Sequence, residues 1–221
     1  MTDDQGRYSF SEVAEVGLDD WRMLFRALHA RFRTGSFATG LELVARIGEA
    51  AEELNHHPDL DLRYPRLDVR LSSHDVGGVT DRDLELARRI SGFATDLGVT
   101  ADPSGVQVLE LALDTPDLAR VKPFWRAVLG LSDSRDEREI VDSDGILPTL
   151  WFQDTDPHDE PRQRFHLDIR VPPEVAEERI AAALAAGGVL VSDAEAPAFT
   201  VVADAEGNKA CVTTGAGRDG A

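Results

Sequence analysis

An α+β chain in two halves is predicted: a small antiparallel sheet with helices on one face, then a strand–helix–strands unit that occurs twice. Three observations predict it. Residues 28–33 alternate apolar and polar, the period of a half-buried strand. Two stretches, residues 37–51 and 86–97, carry apolar side chains at the three- and four-residue intervals of a helix. Beyond residue 105 the chain echoes itself. The segment Gly98–Gly105 (GVTADPSG) gathers turn formers between the halves, so a domain over residues 1–100 and a second over 106–214 are expected. Residues 1–6 and 215–221 read as tails.

In the first half, Leu28 to Arg33 forms a strand, and Thr34-Gly35-Ser36 turns it into a helix capped at or near Ser36. Phe37, Leu41, Val44, Gly48 and Ala51 fall on one face of that helix. Pro58 biases His57 away from helical geometry, so the helix ends near Asn55. Short strands follow at about 61–64 and 67–72, with Leu67, Val69 and Leu71 facing one side. Thr80 caps a last helix whose stripe is Leu86, Ile90, Phe93 and Leu97. Helices over one face of a small sheet is a stable layer arrangement for such elements.

In the second half, Leu109–Leu113 precedes a helical segment ending in FWRAVLG, and Phe165–Ile169 precedes a helix at 173–186 stopped by Gly187-Gly188. Strand-like runs follow each: Thr149–Gln153 after the first, Val189–Val191 and Phe199–Ala203 after the second. Trp125, Trp151 and Phe152 read as core, and His158 as a loop residue.

Composition narrows the function. The 221 residues are 42% hydrophobic, enough for a core, and the net charge is −18. Residues 1–100 hold 12 basic and 18 acidic side chains, and residues 101–221 hold 11 and 23. Neither half offers the basic surface that nucleic acid or an anionic membrane requires, so neither is expected as a partner. Cys211 is the single cysteine, which rules out an internal disulfide. No apolar run reaches the roughly 18 residues of a membrane span, and MTDDQGRYSF lacks a signal pattern. A cytoplasmic location is expected.

Chemistry concentrates in one place. Glu52-Glu53-Leu54-Asn55-His56-His57-Pro58 is followed by Tyr64, His74 and Asp83, so three of six histidines fall within nineteen residues. Histidine gives and takes protons near neutrality, with an unperturbed pKa of roughly 6.5. Pro58 holds His57 extended, so His56 and His57 point apart and divide labour. That divergence also disfavours a zinc site of His56, His57 and His74. Glu52, four residues before His56, is placed to orient it if both are helical. Asp83 stands three after Thr80, the spacing of a capping box, and Gly77 and Gly78 suit a turn.

The spacing resembles the pterin-4a-carbinolamine dehydratases. Their pattern runs acidic residue, three residues, His-His-Pro, five residues, aromatic, nine residues, His, eight residues, Asp. Glu52, His56-His57-Pro58, Tyr64, His74 and Asp83 satisfy every interval, and Gly77-Gly78-Val79-Thr80 resembles the family's Gly-Gly-Leu-Thr. Leu60 stands where a tryptophan is often found, and Asn55 where Asp can occur. The resemblance implies that His56, His57 and His74 are catalytic groups lining a pterin site, and that Glu52, Asn55, Pro58, Tyr64 and Asp83 contribute to substrate binding. It implies dehydration of 4a-hydroxytetrahydropterin by histidine acid–base catalysis, with no cofactor. A homo-oligomer, dimer or larger, is expected by the same resemblance.

The second half is similar to the glyoxalase/bleomycin-resistance (vicinal oxygen chelate) proteins, built from paired βαβββ modules; FWRAVLG, FHLDIRV and DAEGNKACV carry the likeness. Where such proteins hold a metal, ligands come from the first and last strands of each module. Superposing the repeats sets Glu110 opposite His166, with Gln153 and Cys211 near the last-strand positions. A glutamine and a cysteine make a poor hard-metal set, so no metal is expected there. Two alternatives stand beside the dehydratase reading: a non-catalytic binding or assembly protein of the same fold, and a metal-dependent glyoxalase-like lyase or oxygenase in the second half.

Overall fold

The computed structural model describes residues 6–119, 121–122, 126, 131–157, 165–185, 187–203 and 209–217. The chain divides into two compact units, one built from residues up to Val106 with Pro172–Glu174 and the segment from Gly215 grouped with it, and one from Gln107–Val171 and Val175–Thr214.

The first unit holds a five-stranded antiparallel sheet in the order β1-β2-β4-β3, with β5 also on β2. Its strands are β1 (Arg22–Leu24), β2 (Ala27–Arg33), β3 (Asp59–Arg63), β4 (Arg66–Leu71) and β5 (Thr100–Ala101). Alternation decides its two faces. Leu28, Ala30 and Phe32 of β2 and Leu67, Val69 and Leu71 of β4 are buried. They join Leu43, Ile47 and Ala50 of α2 (Phe37–Leu54) and Leu86, Ala87 and Ile90 of α3 (Asp81–Asp96) in one core. Helices therefore cover one face of the sheet, the expected architecture. The other face is a lattice of charges, including Arg31–Asp68 at 2.6 Å and Arg70–Asp59 at 2.6 Å.

Several details differ from expectation. Phe37 and Leu41 are 47% and 51% exposed; α2 buries Gly40, Leu43, Ile47, Ala50 and Ala51 instead. Two apolar stripes overlap on this helix, and the buried one lets α2 approach the sheet closely. A Cβ at Gly40 would stand 2.5 Å from Leu62 Cδ1 of β3. The hairpin strands also begin earlier than expected. Pairing runs from Asp59–Arg70 to Arg63–Arg66, leaving Tyr64 and Pro65 as the turn. Helix α1 (Phe10–Glu15), capped by Ser9, and the short β1 and β5 carry too little periodicity to be read from sequence.

The second unit is one eight-stranded sheet in the order β11-β12-β13-β10-β6-β9-β8-β7. Its strands are β6 (Val108–Thr115), β7 (Ser132–Asp133), β8 (Glu139–Val141), β9 (Thr149–Asp154), β10 (Phe165–Arg170), β11 (Val189–Ser192), β12 (Phe199–Ala203) and β13 (Lys209–Thr213). The order is that of two βαβββ modules. β6 and β10 lead the modules and pair antiparallel, while each pairs parallel with the last strand of its own module, β6 with β9 and β10 with β13. The helix Pro173–Ala185 belongs to the second module. In the first, Phe124, Trp125 and most of FWRAVLG lie outside the described residues, as do His158 and residues 1–5. One sheet face packs Leu113, Ile140, Leu150 and Phe152 into a core of its own.

Candidate active site

The histidine pocket is assembled by a helix end, a hairpin start and a loop. Helix α2 stops at Leu54, and Asn55 takes left-handed dihedrals (φ 47°, ψ 43°), a conformation asparagine tolerates. The His56 N–H then donates back to the Ala51 carbonyl at 3.0 Å, closing the helix end. This reversal turns the His56 side chain inward, where it is 6% exposed, and Pro58 leads out into β3. His57 stays at the surface, its side chain 56% exposed.

His74 lies on the loop between β4 and α3. That loop is pinned by Ser73, whose carbonyl accepts from the Gly77 N–H at 2.8 Å and whose N–H donates to Gly78 O at 2.9 Å. Gly77 has φ 68°, which glycine adopts without Cβ strain. Asn55, His56, His57, Pro58, Asp59, His74, Asp75 and Arg82 together line a pocket of about 400 Å³. That volume lies within the range of small-molecule sites.

Two imidazole–carboxylate pairs organise it. His56 Nε2 lies 2.8 Å from Asp83 Oδ1, fully buried. Asp83 Oδ2 accepts from Ser73 Oγ at 2.7 Å, from the Thr80 N–H at 2.8 Å and from Thr80 Oγ1 at 3.1 Å. Asp83 thus meets hydrogen-bonding groups at both oxygens, which fixes its orientation and that of the His56 ring against it. His57 Nε2 lies 3.1 Å from Glu52 Oε1 at the surface.

The expected constellation is thus rearranged in part. Glu52 pairs with His57 rather than His56. The four-residue spacing holds only along a continuous helix, and the left-handed turn at Asn55 breaks it. Asp83, expected to bind substrate, is 0% exposed and stands behind the pocket as the anchor of His56. Tyr64, expected beside substrate, is 72% exposed at the far tip of the β3–β4 hairpin. Five residue steps separate it from Asp59, roughly 16 Å at strand rise. Asn55 and Pro58 do line the pocket. Arg82, paired with Asp75 at 2.6 Å, lines it as well. Sequence reading missed Arg82, although its place in the first turn of α3, beside Asp83, was the available signal.

In the second unit, register brings Glu110, Ala112 and Asp114 of β6, Trp151 and Gln153 of β9, His166, Asp168 and Arg170 of β10, and Cys211 of β13 to one sheet face. The four residues expected from superposed repeats share that face, where Glu110 is the register partner of Asp168. The ligand atoms of His166, Asp168 and Cys211 lie within 4.8 Å of one another, and Gln153 is exposed near a strand end. Glu110 is 9% exposed, not a solvated strand residue, and Trp151 donates to Asp168 from this polar face rather than packing in the core. Asp168 was missed, although it stands two after His166, the interval that puts both on one strand face.

Comparison with known proteins accords with both halves. Residues 7–93 match the family model for pterin 4 alpha carbinolamine dehydratase, and residues 110–213 the model for a glyoxalase-like domain. A Mycobacterium avium (strain 104) protein is 36% identical over 93 residues, 42% of this chain and 94% of its own. A Nocardia farcinica (strain IFM 10152) protein is 40% identical over 77 residues, 35% of this chain and 81% of its own. Both carry the name "Putative pterin-4-alpha-carbinolamine dehydratase". The crystal structure of a transcriptional coactivator/pterin dehydratase from Brucella melitensis is 34% identical, covering 40% of this chain and 98% of that one, with a TM-score of 0.38.

The fold and the paired imidazoles define a two-unit protein with a histidine pocket in its first unit and a βαβββ pair in its second. The chain belongs to the pterin-4a-carbinolamine dehydratase family through its first half and carries a glyoxalase-like domain in its second. No helix among the described residues is long and apolar enough to cross a membrane.

Proposed function

We propose that the first unit dehydrates 4a-hydroxytetrahydropterin to quinonoid dihydropterin, a hydro-lyase reaction. The supporting observation is that His56, His57 and His74 line one pocket, two of them with a carboxylate on Nε2. In the reaction the carbon–oxygen bond at the carbinolamine carbon breaks, and the oxygen leaves as water after receiving a proton. The neighbouring ring nitrogen surrenders its hydrogen, and its electron pair forms the new carbon–nitrogen double bond. One acid at the leaving hydroxyl and one base at the adjacent ring nitrogen meet this demand, each worth roughly 10²–10⁴-fold. His57 and His74 form the proton-transfer pair. His56, clamped by Asp83, binds and orients the ring, and Asn55 and Pro58 shape the wall beside it.

The test is a dehydration assay on synthetic 4a-carbinolamine with the full chain. His57→Ala and His74→Ala each lower kcat by about 10²–10⁴-fold. Because His57 is exposed, its replacement changes folding stability by no more than about 0.5 kcal/mol. Wild-type protein that fails to accelerate dehydration while remaining folded contradicts the proposal and favours a binding or assembly role for this fold.

A further inference from the structure

Tyr64, which the histidine pocket leaves out, stands beside a row of like charges. Arg33 of β2 is the register partner of Arg66 of β4, and Arg66 is in turn the partner of Arg63 of β3. Three guanidinium side chains therefore start from one rung of the sheet, on strands about 4.8 Å apart. They share the face away from the helices, since Phe32, Leu62 and Leu67, which alternate with them, pack into the core. Like charges set directly opposite across strands are destabilising. The row thus carries a repulsion that an external anion would relieve.

Neighbouring carboxylates offset it incompletely. Arg33 Nη2 reaches Asp102 at 2.5 Å, and Arg63 Nε reaches Asp61 at 2.9 Å. Arg66 Nε reaches Asp68 only at 3.3 Å, and Arg31 already holds that carboxylate with two bonds, at 2.6 and 2.8 Å. Four arginines thus share three carboxylates, a local surplus of one positive charge on a chain of net charge −18. Farther along the face Arg70 is matched by Asp59. The Arg33 and Arg63 side chains are 63% and 62% exposed, and exposed ion pairs contribute little, so an incoming carboxylate can exchange with Asp102 and Asp61. Beyond roughly 8 Å the net negative charge of the chain is screened at physiological salt, so the local surplus decides.

The shape of the surface selects the occupant. The row crosses three strands at the hairpin end, an open face and not the concave site that a small molecule requires. Guanidinium forks take carboxylates in a bidentate manner. Tyr64, exposed on the turn that joins Arg63 to Arg66, adds an aromatic ring, and tyrosine and arginine are enriched among the residues that dominate protein interfaces. A two-fold contact with a second copy would set the arginine row against itself. Nucleic acid would lay phosphates over Asp61 and Asp68 as well.

We propose that Arg33, Arg63 and Arg66, with Tyr64, form a docking surface for an acidic segment of a partner protein, recognised through its side-chain carboxylates. The surface does not rest on the dehydratase reading, because none of these four residues lines the histidine pocket.

The test is fluorescence anisotropy of a labelled hexaglutamate peptide titrated with the full chain, beside hexaglutamine and oligothymidine. Hexaglutamate is expected to bind saturably and hexaglutamine not at all, with binding weakened severalfold as sodium chloride rises from 0.05 to 0.5 M. Arg66→Gln weakens binding about threefold, the worth of one exposed charge pair, and the combined Arg33→Gln, Arg63→Gln and Arg66→Gln variant weakens it at least about tenfold. Tyr64→Ser also weakens it, whereas Arg46→Gln on α2 leaves it unchanged. Circular dichroism checks that each variant is folded; should the triple variant misfold, Arg66→Gln decides. No binding of hexaglutamate at millimolar protein, or equal binding by wild type and the arginine variants, would overturn the assignment. So would tighter binding of oligothymidine through the same arginines, or self-association in gel filtration that the arginine variants abolish.

Discussion

At the residue scale, each histidine has different surroundings. His56 is sealed against a buried carboxylate, His57 meets a carboxylate at the surface, and His74 rides on a loop. His29 does something else again. It sits on β2 opposite Arg70 of β4, and burial, followed by the Arg70 charge, lowers its pKa to about 4. The folded state therefore favours neutral His29, while the unfolded chain protonates it near its ordinary value. Stability from this term is complete above about pH 6.5 and is lost as the pH falls toward 4. Urea unfolding at pH 7 and pH 4 should show wild type losing on the order of 2–3 kcal/mol more than His29→Gln. Equal losses in the two proteins would refute this account of His29. The histidine cluster and its spacing were legible in sequence because they are contiguous chemistry. The pairing of His57 with Glu52 was not, since it depends on one left-handed residue, Asn55.

At the element scale, local signals were dependable and tertiary choices were not. Ser36 caps α2, with its Oγ accepting from the Thr39 N–H at 3.0 Å, and Thr80 caps α3, as their residue types require. Which apolar stripe of α2 meets the sheet could not be read, because Phe37 and Leu41 fit the period as well as Leu43 and Ile47 do. Strands β7 and β8, two and three residues long, offered no alternation to detect. The two caps separate stability from function. Ser36→Ala should cost about 1 kcal/mol of stability and leave dehydration unchanged. Thr80→Ala should cost a similar amount and also lower kcat severalfold, because Thr80 helps cage the carboxylate that holds His56. Equal activity in the two variants would show that the Asp83 cage does not position the pocket.

At the scale of the whole molecule, the two halves are built on separate cores. One core draws on residues 13–99 and the other on residues between Leu111 and Phe152. From sequence, two halves were expected on a turn-rich junction and an internal echo, both properties of long stretches. Asp168 was not legible there, because superposing repeats looks for equivalent positions across modules and not for neighbours on one strand. Six histidines distributed over both halves offer a direct test of the proposed pterin site. Their ring signals can be followed by nuclear magnetic resonance while a stable reduced pterin is added to the full-length protein. The signals of His56, His57 and His74 should move together along one saturating curve, while those of His29 and His166 stay in place. If the first three do not respond, or if His166 responds instead, the histidine pocket is not the pterin site.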